Sequence, residues 1–262
     1  MKNSLFGFVI LLSAGCGSSS ENKVLEMAGT YYMQSQTVTD GETDTKYTDL
    51  KQLKIYTDDY FMYVQVNPVD SFSAFGVGSY STDSGKVMEH VIMSVSDSTY
   101  NDQPQSYTLN ITTTADGYEQ VIPEISFNAK KYKLTEVYEK VKPVDDSPLD
   151  GVWKEVNSYV ISGGDTVRNN RTQYKAYYDG YFMFGHTFVD SASKRQAGIG
   201  FGTFKMINDN KISETDLNSS YAIIAGQTFD VDIEMDGNDK YKQVISNKDG
   251  TKGVEFYERV KK

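Results

Sequence analysis

The chain has 262 residues, with 26 Lys and Arg against 36 Asp and Glu and a net charge of −10, a length that suits one or two domains. That acidity excludes nucleic-acid binding, which needs clustered Lys and Arg, and electrostatic docking on anionic lipid head groups. A single cysteine excludes internal disulfides, so stability must come from an apolar core, which 20 Tyr and 13 Phe can build.

The first segment in chain order is a secretory signal peptide over residues 1–15. Lys2 supplies the positive start, Leu5 to Leu12 an apolar run too short to span a bilayer, and Ser13, Ala14 and Gly15 the small residues before a cleavage site. The run Leu12-Ser13-Ala14-Gly15-Cys16 resembles the lipobox of bacterial lipoproteins. That resemblance implies that Cys16 is acylated, becomes the new first residue and anchors the protein in the bacterial cell envelope, at the outer membrane. Several acyl chains on one cysteine hold far better than one. Residues 16–26, with Gly17 and Ser18 to Ser20, form a polar tether. Asn22 to Ala28 has room for a turn or two of helix, and no later segment is apolar enough for a membrane helix.

An internal repeat follows. Gly29-Thr30-Tyr31 recurs as Gly151-Val152-Trp153, Tyr60-Phe61-Met62-Tyr63 as Tyr181-Phe182-Met183-Phe184, and Gly76-Val77-Gly78-Ser79-Tyr80 as Gly200-Phe201-Gly202-Thr203-Phe204. Tyr118-Glu119-Gln120-Val121 recurs as Tyr241-Lys242-Gln243-Val244, and the closing Tyr138-Glu139-Lys140-Val141-Lys142 as Tyr257-Glu258-Arg259-Val260-Lys261. Five matches in one order at a nearly constant offset mean a duplicated domain of about 115 residues. The two copies occupy 27–142 and 149–262, joined by a linker over 143–148 that carries Pro143 and Pro148.

Each copy reads as strands. Alternation marks Leu53 to Tyr56, Tyr60 to Val66, Val87 to Val95, Tyr107 to Thr113 and Thr228 to Met235. Asp-Gly pairs at 40–41, 116–117, 179–180, 236–237 and 249–250 predict hairpins, because both residues tolerate positive φ. The spacing predicts an all-β chain of two tandem eight-stranded antiparallel up-and-down barrels. A single sixteen-stranded channel fits the same count, but the lipobox and the polar residues on both faces of many strands oppose it.

These residues resemble the lipocalin-like domains of Bacteroidota lipoproteins. The resemblance rests on the Gly-x-aromatic opening of each copy, the Phe-Met strand, the Gly-x-Gly-x-aromatic strand and the basic closing strand. It implies a calycin barrel per copy whose mouth binds small apolar ligands. The first copy departs in having Tyr31 where lipocalins usually place Trp, and no Arg is identified as the partner of that position.

Within this frame His186 shares a strand face with Phe182, Phe184 and Phe188, and Gln65 shares one with Phe61 and Tyr63. Tyr63, Gln65, Phe184 and His186 are therefore the candidate ligand contacts, the alternative for His186 being a histidine satisfied within the protein. His90 lies on a strand with less to recommend it. Two histidines in different copies offer no metal spacing, so neither a metal nor another cofactor is expected. Asp58-Asp59 and Asp145-Asp146 read as solvated turns, and no nucleophile comes with a base, so no enzyme is expected. Asp97-Ser98-Thr99, Asp165-Thr166-Val167 and Asp190-Ser191-Ala192 resemble the O-glycan acceptor sites of exported Bacteroidota proteins, which implies Ser98, Thr166 and Ser191 as acceptors. The sequence thus predicts a lipid-anchored envelope protein that binds a small apolar or amphipathic ligand without catalysis. An envelope protein-interaction module with filled barrels is the alternative, and an enzyme using a lumen the third.

Overall fold

The computed structural model describes residues 25–67, 73–96, 99–127 and 130–261. Cys16, the signal peptide, most of the tether and Ser98 lie outside them. Residues 25–28 carry no regular structure, and no helix occurs among the described residues.

The chain closes twice into an eight-stranded antiparallel ring, not once into sixteen. The first ring runs β1 (Gly29–Thr39), β3 (Lys51–Tyr56), β4 (Tyr60–Val66), β5 (Ser73–Asp83), β6 (Lys86–Ser96), β8 (Gln105–Thr113), β9 (Gly117–Phe127) and β10 (Lys130–Lys140), and β10 pairs back onto β1. Short β2 (Asp44–Tyr47) and β7 (Thr99–Asn101) pair at its rim. The second ring runs β11 (Gly151–Ser162), β13 (Arg171–Tyr178), β14 (Tyr181–Val189), β15 (Arg195–Asn208), β16 (Lys211–Ser219), β17 (Thr228–Asp236), β18 (Lys240–Ser246) and β19 (Lys252–Arg259), closed by β19 on β11, with β12 (Asp165–Arg168) beside it. Each strand pairs with its neighbours in chain order, an up-and-down barrel that is lipocalin-like in general shape.

The turns and bends follow from local chemistry. Asp179 and Gly180 both take positive φ, 57° and 81°, and join β13 to β14 as a two-residue hairpin. Gly117 does not; it opens β9 with ordinary φ, and glycine is needed there because a Cβ would run into the Tyr138 carbonyl. The second glycine of each Gly-x-Gly sits at a bulge, between Val77 and Gly78 and between Phe201 and Gly202. A Cβ would strike the His90 carbonyl at Gly78 and the Thr215 carbonyl at Gly202, so the bend that curls each sheet needs glycine.

The floor of each barrel is aromatic. Tyr31 is buried with Tyr56, Tyr118 and Tyr138, and Trp153 with Tyr177, Tyr241 and Tyr257. Both leading aromatics are hydrogen-bonded to the chain that enters the barrel, Tyr31 OH to Met27 O at 2.9 Å and Trp153 Nε1 to Leu149 O at 2.7 Å. An arginine does partner this position in the second copy: the Arg259 guanidinium lies 4.1 Å from the Trp153 ring centre. Lys140 takes the same place over Tyr31, at 5.7 Å. Sequence inspection missed the pair because Arg259 reaches Trp153 only when the last strand closes on the first.

One apolar cluster belongs to neither lumen. Leu53, Ile55, Met62, Val64, Phe75 and Val77 face out of the first barrel and pack on Val152, Tyr174, Ala176, Met183, Ile199 and Phe201 of the second. Strands β3 to β5 and their counterparts β13 to β15 both take part, so largely the same face of each copy is used, as in an isologous interface. Burying such a side chain contributes about 1.5–3 kcal/mol, so neither face is suited to water. Polar contacts border it: Thr30 N donates to Asp179 Oδ2 at 3.2 Å, and Arg195 stacks on Tyr100 at 4.0 Å. The segment 143–148 is pinned across the second barrel, with Val144 N donating to Asp179 O at 2.9 Å and Asp145 Oδ2 accepting from Met206 N at 3.2 Å.

Candidate functional site

Inward-facing side chains build three levels in each barrel: the aromatic floor, a polar layer above it, and a cavity. The cavities measure about 360 Å³ in the first barrel and about 280 Å³ in the second, near the lower end of the range for small-molecule sites.

Strand alternation sets the polar layer. On β3 the inward positions are Gln52, Lys54 and Tyr56; on β13 they are Gln173, Lys175 and Tyr177. Later strands bring Glu89, Gln120, Glu136 and Tyr138 to the first lumen, and Glu214, Gln243, Glu255 and Tyr257 to the second. Lys54 is 2% exposed and Lys175 3%. Lys54 Nζ lies 2.7 Å from Glu89 Oε1 and donates to Gln120 Oε1 at 3.2 Å. Lys175 Nζ lies 2.7 Å from Glu214 Oε1 and donates to Gln243 Oε1 at 3.3 Å. Tyr56 OH donates to Glu89 and Tyr177 OH to Glu214. The glutamines pass the network on: Gln120 Nε2 donates to Glu136 and Gln243 Nε2 to Glu255, each at 2.6 Å. Tyr138 OH and Tyr257 OH donate to the same two carboxylates, at 2.8 and 2.6 Å. Burial, reinforced by these carboxylates, holds the four phenols well above their ordinary pKa, so they remain donors.

The candidate contacts fall on these walls. Tyr63 and Gln65 line the first cavity, Phe184 and His186 the second. Gln65 Nε2 donates to Gln52 Oε1 at 2.9 Å. His186 Nδ1 stands 3.0 Å from Gln173 Oε1, which can only accept, so Nδ1 carries the proton and Nε2 accepts from Tyr221 OH at 2.7 Å. The histidine is thus both satisfied and lumen-facing. His90 is exposed, with Nδ1 2.9 Å from Ser106 Oγ. Thr166 and Ser191 are exposed. Among the described residues, no three of His, Cys, Asp and Glu gather as a metal site.

Burial first, and then the nearby Arg171 charge, push the His186 pKa down from 6.5 to about 4. A neutral folded imidazole contributes stability that is full above about 6.5 and is lost as pH falls through about 4, up to about 3 kcal/mol. His186→Gln, which copies the Gln65 arrangement of the first barrel, should therefore flatten the loss of thermal stability between pH 7 and pH 4. An unchanged pH profile of the melting temperature in that variant would contradict this.

The second layer is the more highly charged. Arg171 NH2 reaches Glu155 Oε2 and Glu255 Oε1, each at 2.6 Å. Burial raises the Glu255 carboxyl, but Arg171 and Lys175 overcome it and leave the group below the ordinary carboxylate value. Over the mouth, the turn between β16 and β17 brings Tyr221 and Ile224 to the cavity wall, with Ile223 beside them 86% exposed. Gly198 makes room for it: a Cβ there would collide with Tyr221 OH and stand 2.5 Å from His186 Nε2.

No known protein-family model and no curated protein matches the sequence. What the geometry of the site offers is a small hollow with an apolar wall and a rigid polar base, repeated twice.

The polar layer is what sequence inspection missed. Its signal was in the repeat, as Gln-x-Lys-x-Tyr at 52–56 and 173–177, Tyr-x-Gln at 118–120 and 241–243, and Glu-x-Tyr at 136–138 and 255–257. Polar residues matched at every second position are visible only when the copies are aligned by strand face.

Proposed function

We propose that this chain is a lipid-anchored protein of the bacterial cell envelope, held at the outer membrane by acylated Cys16, whose barrels bind small apolar or amphipathic ligands without catalysis. The observation that supports the binding reading is that both lumens stay hollow above a polar layer linked by ion pairs and hydrogen bonds. A barrel serving only as a scaffold for outer-surface contacts would fill that space with side chains, as small eight-stranded barrels can. The acids and bases of the layer are tied to one another, an arrangement that suits orienting a ligand better than transferring protons.

An uncharged dye, N-phenyl-1-naphthylamine, tests this. The full chain should bind it in the lumens with enhanced fluorescence. Ala74→Trp should close the first cavity, which Ala74 lines, and Gly253→Trp the second, where a Cβ meets nothing within 4 Å. Each variant should lose the site in its own barrel and keep the other's. Binding that survives both substitutions, or no binding at all, would contradict the reading.

The anchor has its own test. Cys16→Ser should leave the barrels folded and move the protein from the membrane fraction to the soluble one. Retention in membranes after a carbonate wash would overturn the anchor assignment.

A further inference from the structure

The second lumen carries a charge that its own side chains do not balance. Four carboxylates, Glu155, Glu214, Asp216 and Glu255, share two cations, Arg171 and Lys175. Arg171 lies between Glu155 and Glu255, and Lys175 pairs with Glu214. Asp216 is left over. It is 4% exposed, lines the cavity, and its Oδ1 has no hydrogen-bond partner. A buried carboxylate normally has one, since an unpaired charge in a low-dielectric site is costly. Burial first and Glu214 second raise the Asp216 pKa to about 7.

The surroundings of this carboxylate are apolar, with the Phe184 ring packed over Gly200 beside it. Gly200 lies next to the carboxylate, where a Cβ would stand 2.7 Å from Oδ1. Phe184, Ile224, Phe229 and Ile245 form the facing wall. The first barrel lacks this unpartnered carboxylate. Strand register sets Val91 opposite Gly78 just as Asp216 stands opposite Gly202, so valine occupies the equivalent position.

We propose that the second barrel takes a small amphipathic amine, whose ammonium pairs with Asp216 while its carbon chain lies against Phe184, Phe229 and Ile245. This rests on the binding reading above and narrows it to one chemical class in one barrel. A cation is the ligand charge that offsets this surplus, and a carboxylate ligand would find Arg171 and Lys175 already engaged. An apolar chain fits because Phe184, Phe229 and Ile245 line the same cavity.

The test is calorimetric titration of the full chain at pH 8 with n-hexylamine, n-hexanol and hexanoate. Hexylamine should bind at one site, about tenfold or more tighter than hexanol, with hexanoate weakest. Asp216→Asn, which removes the one carboxylate with an unpartnered oxygen and keeps the shape, should bind hexylamine and hexanol with similar affinity. Lowering the pH to 5.5 should weaken the amine alone. Equal affinity for hexylamine and hexanol, or an amine affinity unchanged in Asp216→Asn, would overturn the amine proposal and leave the broader binding reading standing. Absence of binding by all three ligands, together with no dye bound in either lumen, would remove both.

Discussion

Lys175→Met should destabilise the protein by about 3–5 kcal/mol at pH 8, a drop of many degrees in melting temperature. The ammonium is 3% exposed and 2.7 Å from Glu214. Its removal strands a carboxylate whose remaining donor is Tyr177 OH, at 2.5 Å. Adding Glu214→Leu to Lys175→Met should restore much of the stability, since the cost lies in the broken pair and not in the absence of the pair. A single variant that melts with the parent would show that the lumen admits enough water to make the pair dispensable. Lys54 and Glu89 repeat the geometry and should respond in the same way.

The second large effect lies between the barrels. Phe75 is fully buried, faces out of the first barrel and lies against Gly185 of the second. Phe75→Ala should cost about 3–5 kcal/mol by opening a cavity in the shared cluster. Gly185→Val should fail for the opposite reason, because its Cβ would stand 2.5 Å from Phe75 Cγ. The double variant should recover part of the loss, since each change makes room for or fills the other. Simple addition of the two losses, read from urea denaturation midpoints, would mean that the ring and the glycine do not meet. Both variants should lower the stability of the whole chain in one transition if the shared cluster couples the barrels.

Much of the architecture was legible because it is written locally. Tyr60 to Val66 alternates and forms a strand over that span, and Asp179-Gly180 makes the hairpin that its two positive φ angles allow. The shared face was hidden for a physical reason. In Lys51 to Tyr56, alternation alone assigns Leu53 and Ile55 to a core and Gln52 and Lys54 to solvent. The apolar set does find a core, but it lies outside the barrel against the sister copy, while the polar set lines the lumen. Strands buried on both sides lose the contrast that separates inside from outside. The ion pairs were hidden because Lys54 meets Glu89, and Arg171 meets Glu255, only across a closed ring. Asp216 was hidden for the same reason: only strand register shows that it replaces Val91.

The copies have kept their floors and polar bases and diverged around the cavities. Gln65 stands where the second copy has His186, Tyr63 where it has Phe184, and Val91 where it has Asp216. These are the positions at which two ligand preferences would separate on one scaffold.

Native mass spectrometry of the full-length protein, isolated from its own cells in mild detergent and never unfolded, tests ligand binding most directly. The expected spectrum shows a folded chain carrying extra mass beyond the anchor, released on activation as a small molecule and absent from the Ala74→Trp, Gly253→Trp double variant. Parent chains that emerge empty in both barrels, with the same mass as that variant apart from the substitutions, would contradict it.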